Sequence, residues 1–135
     1  RQSNFDRLVG VIRQHWPASG GHLLDVGAAH GWFLDAATEH FNVLGVEPDS
    51  QVFSAARAQG KPIRQGYFPD ALHNGELFDI IVFNDVIEHI PDIHSTLAAC
   101  RERLSPGGLL VLNLLICISA LSVARALWGG WLQGG

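Results

Sequence analysis

The chain of 135 residues has no methionine, only two cysteines, a single tyrosine and no cluster of lysine or arginine. Each shortage excludes something. A chain that starts at Arg1 without Met is expected to be a piece of a longer polypeptide. Cys100 and Cys117 show neither a CxxC pattern nor metal-type spacing, and each sits in an apolar stretch. They read as reduced core thiols, which implies a cytoplasmic setting. The 9 Lys plus Arg are outnumbered by 13 Asp plus Glu, for a net charge of −4. Nucleic acid is bound by clustered basic groups that displace counterions, so no nucleic-acid partner is expected. The 7 histidines are scattered without ligand spacing, which speaks against a metal site. No signal peptide is visible at the start. The longest apolar run, Leu109 to Ala124, is broken by Asn113, Ser119 and Ser122. It falls short of the about 20 apolar residues that cross a bilayer, so no membrane span is expected.

What is present suits one globular domain with one core: 47% of the residues are hydrophobic and 16% are charged. Phe5, Leu8, Val9, Ile12 and Trp16 recur at helical spacing, and Pro17 with Gly20-Gly21 stops that helix. Residues 1–21 thus form an N-terminal helix and linker. Short apolar runs at Leu23–Val26, Val43–Val46, Ile63–Gln65, Phe78–Phe83 and Leu109–Leu114 read as five strands. Helices are expected between most of them, at Trp32–His40, from Asp49 or Ser50 to Ala58, and after Asp92. Ser105-Pro106-Gly107-Gly108 reads as a turn. Leu121, Ala124, Leu127, Trp128 and Trp131 share one helical face, which predicts an apolar C-terminal helix within residues 114–135. Runs that are apolar rather than alternating suit a parallel sheet covered on both faces. The fold class is therefore α/β, a three-layer sandwich with right-handed crossovers.

In such sheets ligands bind beyond the carboxyl ends of the strands. After the first strand comes Asp25-Val26-Gly27-Ala28-Ala29-His30-Gly31-Trp32-Phe33. Small residues at 27, 29 and 31 let the backbone turn tightly against a ligand, although such a turn also serves a fold without one. After the second strand stands Glu47, 20 residues beyond Gly27. A carboxylate there can accept two hydrogen bonds from a ribose diol. The dinucleotide fingerprint needs a small sixth residue, but here that residue is Trp32. An indole there would crowd a pyrophosphate and the helix–strand contact, so a ligand without a pyrophosphate is favoured. The fourth strand is followed by Asn84-Asp85-Val86-Ile87-Glu88-His89-Ile90-Pro91-Asp92, which brings polar groups to the same end of the sheet.

The segments LLDVGAAHGWF, GVEPD, FDIIVFNDVIEHIPD and LSPGGLLVLN, in this order and spacing, resemble class I S-adenosylmethionine-dependent methyltransferases, in particular the small-molecule subgroup of the ubiquinone-biosynthesis type. The resemblance runs from about Leu23 to Asn113. It implies a Rossmann-like sheet of order 3-2-1-4-5, with the family's sixth and seventh strands missing, so that the chain is expected to be a single methyltransferase core domain cut short at its C-terminal end. It implies S-adenosylmethionine as cofactor and a small-molecule methyl acceptor as substrate. The methionine moiety would lie over Gly27, Ala28, Ala29 and Gly31, near Phe33, with Asp25 supporting the loop. Glu47 would take the ribose hydroxyls, beside Pro48. Gly66, Tyr67 and Phe68 would lie beside the adenine, with Asp70 the nearest acid. Asn84, Asp85 and Val86 would line the floor near the sulfonium. His89 would sit near the acceptor and serve as base for a hydroxyl, unless its ring only bonds the backbone of its own loop. The family usually has Gly where this chain has Ala29.

Two other functions remain open on the sequence: a non-catalytic binding or interaction module that keeps the fold, and a nicotinamide-dependent oxidoreductase. A fifth strand with an uncovered edge and an apolar tail invites self-association. A homodimer or larger species is therefore expected, and a clean monomer mass in light scattering would refute it.

Overall fold

The structure, a computed structural model, describes residues 2–84, 89–114 and 120–125. The elements are α1 (Gln2–His15), β1 (His22–Val26), α2 (Trp32–Ala37), β2 (Asn42–Glu47), α3 (Ser50–Ala58), β3 (Ile63–Gln65), β4 (Phe78–Asn84), α4 (Ile93–Arg103), β5 (Leu104–Leu114) and β6 (Ala120–Arg125). They form one sheet of order β3-β2-β1-β4-β5-β6. The first five strands are parallel, and β6 runs antiparallel to β5.

Strand alternation puts a separate core on each face of the sheet. One core joins Leu23, Val43, Ile63, Ile80, Val82 and Val111 to Ile12 of α1, Phe33 and Leu34 of α2 and Ala56 of α3. The other joins Leu24, Val46, Ile81, Phe83 and Leu110 to Cys100 of α4 and Leu72 of the segment between β3 and β4. These are the three layers that the apolar runs imply. Burial pushes the Cys100 thiol up to about 12, which leaves it an inert core group.

The helix starts and stops follow local chemistry. The Asp49 side chain caps α3 by accepting from the Gln51 and Val52 amides at 2.9 and 3.0 Å, and Gly60 turns the chain beyond it at φ 80°. Asp92 caps α4 in the same way through the Ser95 amide. Helix α2 ends at Ala37, short of the expected His40.

Two expectations change at the C-terminal end. The expected turn at Ser105–Gly108 is part of β5, where the pairing with β4 shifts register between Phe78 and Ile80. The tail is not a helix where it is described: Ala120–Arg125 pairs with Leu109–Leu114. The fifth strand offers an unpaired row of N–H and C=O groups, and a strand satisfies that row where a helix cannot. Long-range pairing thus outweighs a local 3.6-residue pattern. The sheet accordingly has a strand beyond the five expected, and the premise of a bare fifth-strand edge falls. Trp128 and Trp131 lie outside the described residues.

Gly45 of β2 allows the close approach on which the sheet rim is built. A Cβ there would lie 2.5 Å from Ala28 Cβ and 2.9 Å from Leu34 Cδ1. The turn after β1 therefore rests directly on β2, as a strand glycine often allows. Gly45→Ala is expected to lift that turn and cost about 1–3 kcal/mol, read as a lowered urea midpoint. Adding Ala28→Gly should return part of the loss.

Candidate functional site

The turn after β1 is held from β2. The Gly27 and Ala28 amides both donate to the Val46 carbonyl, at 2.9 and 3.0 Å. The Ala29 amide donates to Glu47 Oε1 at 2.9 Å, and the Asp49 amide to Glu47 Oε2 at 2.9 Å. One carboxylate thus ties together the turns after β1 and β2. Glu47 is 9% exposed, and each of its oxygens keeps a second lone pair for a ligand hydroxyl. Ala29 holds φ 52°, a left-handed value that favours glycine. The Ala29 methyl therefore costs this turn strain that a glycine would avoid.

The hydrogen bonds that fasten the turn are accepted by Glu47 and Val46. Asp25 is 2% exposed, and its Oδ1 has no hydrogen-bond partner among the described residues. Burial, and then the nearby Glu47 charge, push its carboxyl up to about 8. A cationic group above the turn would favour its ionisation.

A cavity of about 450 Å³ opens at the carboxyl ends of the strands, within the usual range for small-ligand sites. Of the expected site residues, Gly27, Glu47, Pro48, Gly66, Tyr67, Phe68 and His89 line it. Tyr67 is 71% exposed at its mouth, and Phe68 packs edge-on against Phe83 with ring centroids 5.7 Å apart. The Gly66–Phe68 wall belongs to a segment clamped to β3. Arg64 there donates to both Glu76 oxygens at 2.8 and 2.9 Å, which holds the Glu76 carboxyl down at about 2.

Other expected residues lie elsewhere. Ala28 is buried against Gly45. Gly31, at φ 80°, backs onto the Lys61 side chain. Phe33 is a core residue, edge-on to Phe5, rather than a wall of the cavity. Asn84 ends β4, where its Oδ1 accepts from Asn113 Nδ2 at 2.7 Å. Asp85 and Val86 lie outside the described residues. Trp32 does not wedge between helix and strand; it is 44% exposed and stacks on His30 at 5.0 Å. The steric argument drawn from its indole is thereby weakened. Sequence reasoning missed Val26, Val46, Phe83, Ile90, Pro91, Ser95 and Thr96 in the cavity wall. The three strand residues are each the last of their strand's run on one core face, a signal that alternation could have supplied.

Residues 3–133 match the family described as methyltransferase domain. The chain belongs to this family. Among curated members it is similar to the ubiquinone biosynthesis O-methyltransferase of Paramagnetospirillum magneticum, with 33% identity over 143 residues, 98% of this chain and 56% of the relative. The enzyme of the same name from Cereibacter sphaeroides is 32% identical over 84% of this chain and 47% of its own length. The chain spans about half the length of the curated relatives it matches. Solved structures share the fold. S-adenosylmethionine-bound CalS10, an amino pentose methyltransferase from Micromonospora echinaspora, superposes with a TM-score of 0.71 at 22% identity, over 96% of this chain and 64% of that one. Streptomyces venezuelae DesVI does so with a TM-score of 0.73 at 22% identity, over 84% of this chain and 50% of that one.

The buried acid yields a pH test of this family member. With a carboxyl raised from 3.8 to about 8, the folded state keeps a proton that the unfolded state releases. Its contribution is complete below pH 3.8 and is lost as pH rises towards 8, by up to about 1.4 kcal/mol per pH unit. Denaturant unfolding from pH 5 to 8 should show this fall, and Asp25→Asn should flatten it. An identical slope in the variant would remove Asp25 as its source.

Proposed function

We propose that the chain is the cofactor-binding core of an enzyme that transfers a methyl group from S-adenosylmethionine to a small-molecule acceptor. The observation that carries this reading is Glu47: a nearly buried carboxylate in the cavity wall that also fastens the small-residue turn. The donor set fits the cofactor. Glu47 would accept from the ribose hydroxyls, Pro48 and Gly66–Phe68 would flank the adenine, and the turn over Asp25 would receive the methionine end with its ammonium. The similarity to ubiquinone biosynthesis O-methyltransferases and to an S-adenosylmethionine-bound amino pentose methyltransferase supports the same assignment.

When bound, the cofactor supplies a methyl group on a sulfonium, an electrophile open to in-line attack. The protein's part is alignment and exclusion of water. Val26, Val46, Phe83 and Ile90 give the cavity an apolar wall, and such a lining suits a step that disperses charge. An attacking hydroxyl loses a proton, and His89, in the cavity wall, would take it.

Other parts of the reading are coarser. Among the described residues, no helix is long and apolar enough to cross a membrane. The free, buried thiol of Cys100 suits a reducing, cytoplasmic setting. A homodimer would use β6, the edge strand among the described residues, rather than β5.

Calorimetric titration of the whole protein tests the cofactor. S-adenosylmethionine and S-adenosylhomocysteine should bind and NAD should not. Glu47→Gln should weaken both by tenfold or more, the loss of about 1.5–3 kcal/mol expected for charge-assisted contacts. Thermal unfolding of the variant checks that its turns persist. A folded protein that binds neither ligand would point to the non-catalytic module, and preference for NAD to the oxidoreductase.

A further inference from the structure

At the end of the sheet opposite Glu47, a second cavity of about 310 Å³ opens beside the starts of β1 and β2, large enough for a small ligand. One wall is the last turn of α1 and the linker behind it, with Arg13, Trp16 and Ser19. The other is the chain between α2 and β2, with Glu39, His40 and Phe41. The walls are fixed from beneath. Phe41 is buried in the same core as Ile12 of α1, and Trp16 packs against that core. The Trp16 indole donates to the Gly20 carbonyl at 3.0 Å. The Asn42 amide donates to the Gly21 carbonyl at 2.8 Å, which ties the linker to the start of β2.

The charges on this frame are unmatched. Arg13 and Glu39 line one cleft, yet among the described residues neither side chain makes an ion pair or a hydrogen bond, with the other or with any third group. The His40 ring and the Ser19 hydroxyl are likewise without partners among the described residues, as are the amides of Ala18, Ser19 and Gly20. The wall from α1 thus offers a guanidinium and amide donors, which suit a carboxylate. The wall after α2 offers a carboxylate and an imidazole nitrogen, which suit an ammonium. A simple anion would be set against Glu39, and a simple cation against Arg13. A ligand that carries both charges meets a counter-charge on each wall.

We propose that this cleft is a second binding site, for a small zwitterion of the α-amino acid class. Its carboxylate lies against Arg13 and the linker amides, and its ammonium against Glu39. None of these residues has a part in the methyltransferase reading, so the site stands whether or not that reading holds.

The test is titration of the isotope-labelled whole protein, followed by amide NMR, with serine, glycerate and serinamide. The three share a skeleton and differ in charge, as zwitterion, anion and cation. Serine should bind at least about tenfold tighter than either of the others, the size of one charge-assisted contact, and should shift the amides of residues 18–20 and 39–41. Arg13→Gln should weaken serine by about tenfold and leave serinamide as it was. Glu39→Gln should weaken serine to the same degree and leave glycerate as it was. Both side chains are exposed, so neither substitution disturbs the core. No binding at residues 18–20 and 39–41, equal binding of the three probes, or affinities that ignore both substitutions would overturn the proposal. Serine shifts confined to the turn at residues 27–31 would assign it to the methionine end of the cofactor cavity, and that too would overturn it.

Discussion

Two backbone amides from different turns converge on the Glu47 carboxylate, and the site depends on that convergence. Without it, the turn after β1 would be fastened to β2 only through the Val46 carbonyl. With it, Ala29 and Asp49 are set by the same side chain, so the ribose contact proposed for Glu47 and the fastening of the turn after β1 would share one origin. A charged acceptor makes the stronger class of hydrogen bond, and its burial limits competition from water. On the proposed reading, binding residue and scaffold are the same group.

The arrangement imposes two costs close by. Ala29 carries a methyl group in a left-handed conformation, and Asp25 is held beneath the turn with a carboxyl that burial disfavours as an anion. The two acids lie on one face of the sheet, and Asp25 Oδ1 lacks, among the described residues, the amide donors that both Glu47 oxygens have. Strain and unmatched polarity gathered at one rim are what a binding site produces and a purely structural core removes. Their position at the carboxyl ends of the strands agrees with where this class of sheet binds ligands.

The Arg64–Glu76 clamp has a comparable role for the far wall. The segment between β3 and β4 is turns rather than a helix, so it has few internal backbone bonds to hold its shape. A two-pronged guanidinium–carboxylate contact, with Arg103 donating to the His73 and Glu76 carbonyls, supplies the missing restraint. Phe68 and Tyr67 are thereby set against the opening without a regular element beneath them.

Much of this was legible in the order of residues. The five parallel strands, the caps at Asp49 and Asp92 and the place of Glu47 follow from apolar runs, short polar capping side chains and spacing, all of which are local. Four matters were settled only by contacts between distant parts of the chain. The tail over Ala120–Arg125 became a strand because β5 had an edge to satisfy. Phe33 turned into the core because Phe5 and the sheet surround it. Gly45 has no room for a Cβ because Ala28 folds back upon it. Asn84 met Asn113 because two parallel strands, 29 residues apart in sequence at that point, share one register. Periodicity reports which face of an element is apolar, but it carries no information about which partner that face or that strand end will meet. That is decided when the whole sheet assembles, since each pairing is stable only with its neighbours in place.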